Sequence, residues 1–387
     1  MPEKNEASGK GKSIVKRKRK SANRIGLRAR AVSSLILTAI FMSPLAAMAK
    51  LPNETYVGSI SWSPDGKRLV IGYKKHTAAI VKANTGEVLL ELNPDKDIQK
   101  PVDKRFSVKA DTNMARDNWS PVSWSPDGRY VAVAHYLNVF IFDSKSGKLV
   151  KSKISKRAKD FDPERRWNPI LPQNGATTND GWREYKSYVT GLDWSGDGKN
   201  LAISDANGVH VVDVESGKEL YTYEPLQHRT FVVSWCRDNS KLATISFNFN
   251  SGTKSLHIWN AKDGKTIREL KGIKHLAWSP DSKHLAYDKH KGIVIYDPVT
   301  DKVRNTITTN DEFPTFFWSP DGKYLAVSDQ DEIVKIVDAQ TGKTQTSYKT
   351  AKGSSFVDIF PSVFAWAPDG KSLAIGMEDF DLEFWKP

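Results

Sequence analysis

A single cysteine, Cys236, stands among the 387 residues, so no internal disulfide can form and no paired-cysteine metal site can be assembled. Long apolar runs are scarce. The stretch AVSSLILTAIFMS at 31–43 falls short of the ~20 residues that a membrane-spanning helix requires. Catalytic signatures are missing as well: there is no GxSxG elbow, no HExxH pair and no phosphate-cradling glycine loop, which removes the corresponding hydrolase, metalloprotease and nucleotide-binding readings. The eight histidines are scattered, without the partner spacing that would mark an acid–base pair. No catalytic residue, metal site or cofactor is assigned.

The formal net charge of +13 suggests nucleic acid at first sight, but its distribution argues otherwise. Residues 1–49 carry eleven Lys and Arg against two Glu, so most of the excess belongs to a leader and little remains for the body. That leader has the parts of a secretory signal: a basic region through Arg30, the apolar stretch from Ala31, and Ala47-Met48-Ala49 as an A-x-A site. Cleavage after Ala49 is expected, with a periplasmic or secreted mature chain of 50–387; the alternative is an uncleaved membrane anchor at 31–49. KRKRK at 16–20 leaves a second alternative, a nuclear signal or nucleic-acid arm. No nucleic-acid partner is expected for the body.

What the chain has in abundance is one repeat. WSPDG at Trp62 returns as WSPDG at Trp124, WSGDG at Trp194, WCRDN at Trp235, WSPDS at Trp278, WSPDG at Trp318 and WAPDG at Trp366. The later spacings of 41, 43, 40 and 48 residues match the ~40–45 residues of a four-stranded propeller blade. Each unit reads as four β-rich runs separated by turn residues, with Pro-Asp-Gly after the first run and Thr-Gly or Ser-Gly after the third. An Asp or Asn closes the third run at Asp143, Asp213, Asn260, Asp297 and Asp338. The expected fold is all-β, a seven-bladed β-propeller preceded by an N-terminal signal peptide. The seven tryptophans are read as core, and Cys236 as a small buried hydrophobe.

These motifs resemble WD40-type repeats, in the bacterial style with WSPDGKxLA units, and are similar to the propellers of TolB-like proteins. The resemblance covers residues 57–387. It departs from eukaryotic WD40 proteins in lacking the Gly-His dipeptide and a uniform Trp-Asp at the end of the third strand. Because the chain stops at the end of a third strand, the missing outer strand of blade 7 is expected from residues 50–56, KLPNETY, with Pro52 tolerable on an edge.

Two spacings, 62 and 70 residues, break the period. The extra chain lies at about 93–119 and 155–187, each between the fourth strand of one blade and the first of the next. By the WD40 resemblance this is the face where partners dock. The insertions carry Trp119, Arg165, Arg166, Trp167, Trp182 and Arg183, and Trp and Arg are the residues most enriched at binding hot spots. A second candidate set stands eleven residues after each framework tryptophan, where the repeats stop agreeing: Tyr73, His135, Asp205, Ser246, Lys289, Asp329 and Met377. The expected function is a non-catalytic, monomeric scaffold that binds a protein partner, touching a membrane only if the leader stays on. The alternative is a propeller enzyme, lactonase-like or another hydrolase, acting on a small molecule at the channel mouth with His135, Asp205 and Asp329 as its first suspects.

Overall fold

The computed structural model describes residues 47–50, 57–73, 78–94, 120–135, 138–154, 189–205, 208–223, 228–248, 251–311, 314–329, 333–350, 364–376 and 381–387. The basic leader, the insertions and most connections after second strands lie outside the described residues. β1 is Ala47–Lys50. Blade 1 comprises β2 (Val57–Trp62), β3 (Arg68–Tyr73), β4 (Ala78–Lys82) and β5 (Val88–Leu92); blade 2 comprises β6 (Val122–Trp124), β7 (Tyr130–His135), β8 (Asn138–Asp143) and β9 (Leu149–Ile154). Blade 3 is β10 (Gly191–Trp194), β11 (Asn200–Asp205), β12 (Gly208–Asp213) and β13 (Glu219–Tyr223), and blade 4 is β14 (His228–Trp235), β15 (Lys241–Asn248), β16 (Thr253–Asn260) and β17 (Thr266–Lys271). Blade 5 holds β18 (Leu276–Trp278), β19 (Leu285–Asp288), β20 (Gly292–Asp297) and β21 (Lys302–Thr308); blade 6 holds β22 (Phe316–Trp318), β23 (Tyr324–Asp329), β24 (Ile333–Asp338) and β25 (Thr344–Lys349). Blade 7 uses β26 (Phe364–Trp366), β27 (Leu373–Gly376) and β28 (Asp381–Trp385).

Seven antiparallel four-stranded sheets result. Each first strand neighbours the next around the ring, and β26 returns to β2. Blade 7 is completed by β1, paired antiparallel with β28 from Ala47 opposite Phe384 to Lys50 opposite Asp381. The expected closure therefore occurs, but three residues upstream of KLPNETY and overlapping it only at Lys50. A cut after Ala49 would fall inside this strand.

The framework tryptophans do more than fill space. The indole Nε1 of Trp62 donates to Ala365 O at 3.0 Å, Trp194 to Ser123 O at 3.2 Å, Trp278 to Ser234 O at 3.2 Å, Trp318 to Ala277 O at 3.1 Å and Trp366 to Phe317 O at 3.3 Å. Each acceptor is the carbonyl just before the preceding blade's tryptophan. At the other two junctions the backbone N–H of the tryptophan takes over, donating to Ser61 Oγ at 3.1 Å from Trp124 and to Asp193 Oδ2 at 2.7 Å from Trp235. Every junction thus carries at least one inner hydrogen bond, each contributing ~1 kcal/mol net. Five of the tryptophans are buried, while Trp62 and Trp318 are partly so.

The turn after each first strand is built identically in five blades. Ser63 Oγ donates to Asp65 Oδ1 at 2.6 Å and accepts the Arg68 N–H at 2.9 Å, and Asp65 accepts the Lys67 N–H. The serine-to-aspartate bond recurs from Ser125 to Asp127, Ser195 to Asp197, Ser279 to Asp281 and Ser319 to Asp321. In blade 4 the serine is replaced by Cys236, whose thiol donates to Asp238 Oδ1 at 2.8 Å and accepts the Lys241 N–H at 3.0 Å. The cysteine is fully buried as expected, yet it stands in for a hydroxyl in a polar turn and is not merely an apolar filler.

Departures from the repeat compensate one another. Gly196 occupies a proline position because a Cβ there would meet Arg237 O at 2.0 Å, and its N–H donates to Asn239 Oδ1 at 2.5 Å. Asn239 holds a φ of 63° where other turns use glycine, and Ser282 does the same at 62° while accepting the Asp238 N–H at 2.9 Å. Elsewhere the turn glycine faces the preceding blade's proline, as Gly128 faces Pro64 and Gly198 faces Pro126. Where glycine is lost, a side-chain hydrogen bond across blades replaces that contact.

Candidate partner-binding face

In an antiparallel blade the first-to-second and third-to-fourth turns share one end, and the second-to-third and interblade connections share the other. The first end is tight. Its third-to-fourth turns are capped by Asp143, Asp213 and Asp338, each accepting the N–H and hydroxyl of the residue three positions on, at 2.5–2.8 Å. Asp297 accepts the Val299 and Thr300 N–H groups and pairs with Arg304 at 2.6 Å. Hydrogen bonds to these carboxylates hold all four below the usual range, Asp297 mainly through Arg304.

The opposite end receives both insertions and the exits of the second strands. Trp119, Arg165, Arg166, Trp167, Trp182 and Arg183 lie outside the described residues. Among the second-strand candidates, Tyr73, His135, Asp205 and Ser246 are buried, and Lys289 is exposed. Burial pushes the Tyr73 phenol up to about 12, with the Glu91 charge adding to it. His135 stands edge-on to Phe140 at 6.0 Å. Lys289 donates its N–H to Gly292 O at 2.9 Å in a turn where His290 and Lys291 take φ values of 40° and 56°. Asp329 closes β23 opposite Ile333.

Asp205 belongs to a polar group that sequence spacing did not expose. Its Oδ2 lies 3.4 Å from His210 Nε2; His210 Nδ1 lies 3.3 Å from Thr222 Oγ1 and 3.7 Å from Glu219 Oε2, and Thr222 donates to Glu219 Oε1 at 2.7 Å. The four residues come from β11, β12 and β13, so only pairing across three strands brings them together. A comparable role falls to Asp288, whose buried carboxylate accepts the Lys274 and His275 N–H groups at 2.8 and 2.6 Å. Burial raises its pKa despite those bonds. Both groups brace the rim. Among the described residues no cluster of His, Cys, Asp and Glu is arranged to hold a metal ion, and no helix is long and apolar enough to cross a membrane.

The chain matches the model of the anaphase-promoting complex subunit 4 WD40 domain over residues 39–101, 177–238 and 308–363. It is similar to the WD repeat-containing protein slp1 of Schizosaccharomyces pombe, 23% identical over 302 residues covering 76% of this chain and 51% of that protein. WD repeat-containing protein AAC3 of Dictyostelium discoideum is 34% identical over 91 residues, 22% of this chain and 19% of its own length. Cell division cycle 20.1, cofactor of APC complex, of Arabidopsis thaliana is 25% identical over 188 residues, 42% of this chain and 41% of its own. The chain thus spans about half the length of these relatives or less.

The comparisons overturn one expectation. The matched domain comes from a subunit of the anaphase-promoting complex, and the relatives are eukaryotic WD proteins, one a cell-division-cycle cofactor; their setting is inside the cell, so periplasmic or secreted localisation does not stand. The bacterial, TolB-like variety of the repeat finds no support in these eukaryotic relatives either. Repeat, blade and match agree on the broader kind: the chain is a seven-bladed β-propeller whose repeats are similar to those of WD40 proteins.

Proposed function

We propose that this protein is a non-catalytic interaction scaffold that holds a protein partner on the end of the propeller carrying the two insertions. The division of the blade ends is the observation that carries the reading. One end is closed by tight turns whose polar groups bond to one another and across blades, leaving them committed to the frame. The other receives every long connection, and long connections on a rigid frame are where binding groups concentrate. Trp119, Arg165, Arg166, Trp167, Trp182 and Arg183 are the proposed anchors, with exposed Lys289 and with Asp329 at the rim. Tyr73, His135 and Asp205 act beneath them by shaping the frame that presents the loops. The relative described as a cofactor of the APC complex supports a role as one part of a larger protein assembly.

The test is affinity capture with the full chain beside a version lacking 157–185, both checked for the same cooperative melting. A partner retained by the full chain and lost with the insertion supports the reading. A partner retained equally by both, and mapped by cross-linking to the tight-turn end, contradicts it.

A further inference from the structure

Blades 4 and 5 meet, at the end that receives the insertions, in a run of cationic residues that the backbone ties together. Lys254 stands near the start of β16, and its carbonyl accepts the Gly272 N–H at 2.8 Å from the connection between the two blades. Lys271 and Lys274 flank that glycine. The Lys274 N–H donates to Asp288 Oδ1 at 2.8 Å, which brings the connection against the turn Lys289-His290-Lys291 between β19 and β20. The Lys291 carbonyl in turn accepts the Thr309 N–H at 2.8 Å from the chain leaving blade 5. Segments far apart in sequence are thus held in one frame.

That turn is strained where it need not be. His290 and Lys291 take φ values of 40° and 56°, and among the described residues they are the only adjacent pair other than glycine in the left-handed region. A hairpin connection with both central residues left-handed ordinarily takes Asn-Gly, which avoids the Cβ penalty. Strain of this kind persists where the frame over-determines it and a particular side chain is wanted.

The charge is correspondingly free. Lys271, Lys289, His290 and Lys291 are exposed, and among the described residues none of them pairs with a carboxylate. Lys254 holds its ammonium 5.6 Å from the centre of the Phe231 ring, which steadies the charge without cancelling it. The carboxylates nearby are placed otherwise. Asp288 is buried on the Lys274 and His275 N–H groups, Glu269 accepts the Ser255 hydroxyl at 3.2 Å, and Asp311 lies at the margin, two residues beyond Thr309. The positive excess is local, because the body of the chain is close to balanced. A nucleic-acid footprint would run as a basic stripe over the domain. Separate ammonium groups spread along two blades, without arginine forks converging on one point, match carboxylates spaced along an extended chain.

We infer that the rim of blades 4 and 5 docks an acidic segment of the protein partner, its Asp and Glu side chains spread over Lys254, Lys271, Lys274, Lys289, His290 and Lys291. The inference rests on the reading of this end as the partner-binding face, and it adds the chemistry that is recognised there.

The test titrates the full-length chain with a short fluorescein-labelled peptide of alternating Glu and Gly, beside the same peptide with Gln for Glu and a single-stranded DNA of equal charge. Saturable binding of the acidic peptide is expected, weaker by about tenfold or more at high salt, with none for the neutral peptide. Lys289→Glu/Lys291→Glu should weaken it by about tenfold or more, while Lys199→Glu/Lys283→Glu, the same charge change at the tight-turn end, should alter it by less than about twofold. His290→Asn/Lys291→Gly relaxes the turn, so that variant should melt higher than the parent and bind about threefold or more weakly. Equal losses in the two charge-reversal variants, tighter binding of the DNA, or a relaxed turn that binds as the parent does would overturn the inference. No saturable peptide binding, in a protein whose captured partner still depends on residues 157–185, would overturn it and leave the face reading standing. A loss confined to Lys199→Glu/Lys283→Glu would overturn both.

Discussion

At the residue scale, the turn positions show how strictly local chemistry is set by the neighbouring blade. Restoring the repeat's proline at Gly196 should destabilise the ring by about 2 kcal/mol or more in urea unfolding, because proline removes the N–H bonded to Asn239 and introduces a Cβ where Arg237 O stands. Cys236→Ser should be close to neutral, since a hydroxyl accepts and donates at the same two places, whereas Cys236→Ala should lose about 1 kcal/mol. Burial, followed by the Asp238 carboxylate that accepts its proton, pushes the Cys236 thiol up. It should resist thiol reagents in the folded protein and react only after unfolding, which a timed labelling assay reads directly.

The aspartates give the ring its dependence on pH. Burial raises Asp65, Asp127, Asp197, Asp238, Asp281 and Asp321, but the Ser or Cys hydrogen bond and the backbone N–H outweigh it and hold all six low. A folded value below the unfolded ~3.9 gives stability that is present above pH 4 and lost as pH falls through the folded values. Asp193 runs the other way. Burial pushes it to about 7 against the pull of the Trp235 N–H and Ser234 hydroxyl, so its contribution is greatest below pH 4 and declines as pH rises toward 7. Asp193→Asn should flatten that decline in unfolding measurements taken between pH 5 and 8, without moving the acid limb.

At the scale of the element, the outer strand is where the blades are fastened and where the chain closes. Lys151, Tyr221 and Asn305 each reach a backbone carbonyl of the next blade's third-to-fourth turn or just before it, and Arg268 meets Asp301. Asn305→Ala, which removes bonds of 2.8 and 3.0 Å to Ala339 and Gln340, should cost about 1 kcal/mol. A chain beginning at Leu51 loses β1 and leaves β28 with an open edge. It should melt at lower temperature and associate in a concentration-dependent way, as scattering would show.

This scale also marks the reach of the sequence. The period and the paired turns revealed all seven blades, because each hairpin writes its own glycine or aspartate into the chain. The closing strand was legible only approximately: KLPNETY and AMAK are both short, and nothing local separates them, so the register against β28 decides. The site was less legible still. Eleven residues beyond each tryptophan the repeats diverge, but Tyr73, His135 and Asp205 diverge because each packs against a different neighbour. The Asp205, His210, Thr222 and Glu219 group depends on alignment of three strands, which linear spacing does not encode.

At the scale of the whole molecule, the propeller separates fastening from presentation. The turns and inner hydrogen bonds lie with the frame, and the long connections lie at the other end. The central claim is that this end holds a protein partner through Arg and Trp anchors. The most direct measurement is the affinity of the captured partner for Arg166→Ala/Trp167→Ala, beside Lys199→Glu/Lys283→Glu at the tight-turn end. A loss of about 2 kcal/mol or more in the first variant with none in the second is the predicted result; undiminished affinity in the first together with a loss in the second would contradict the account.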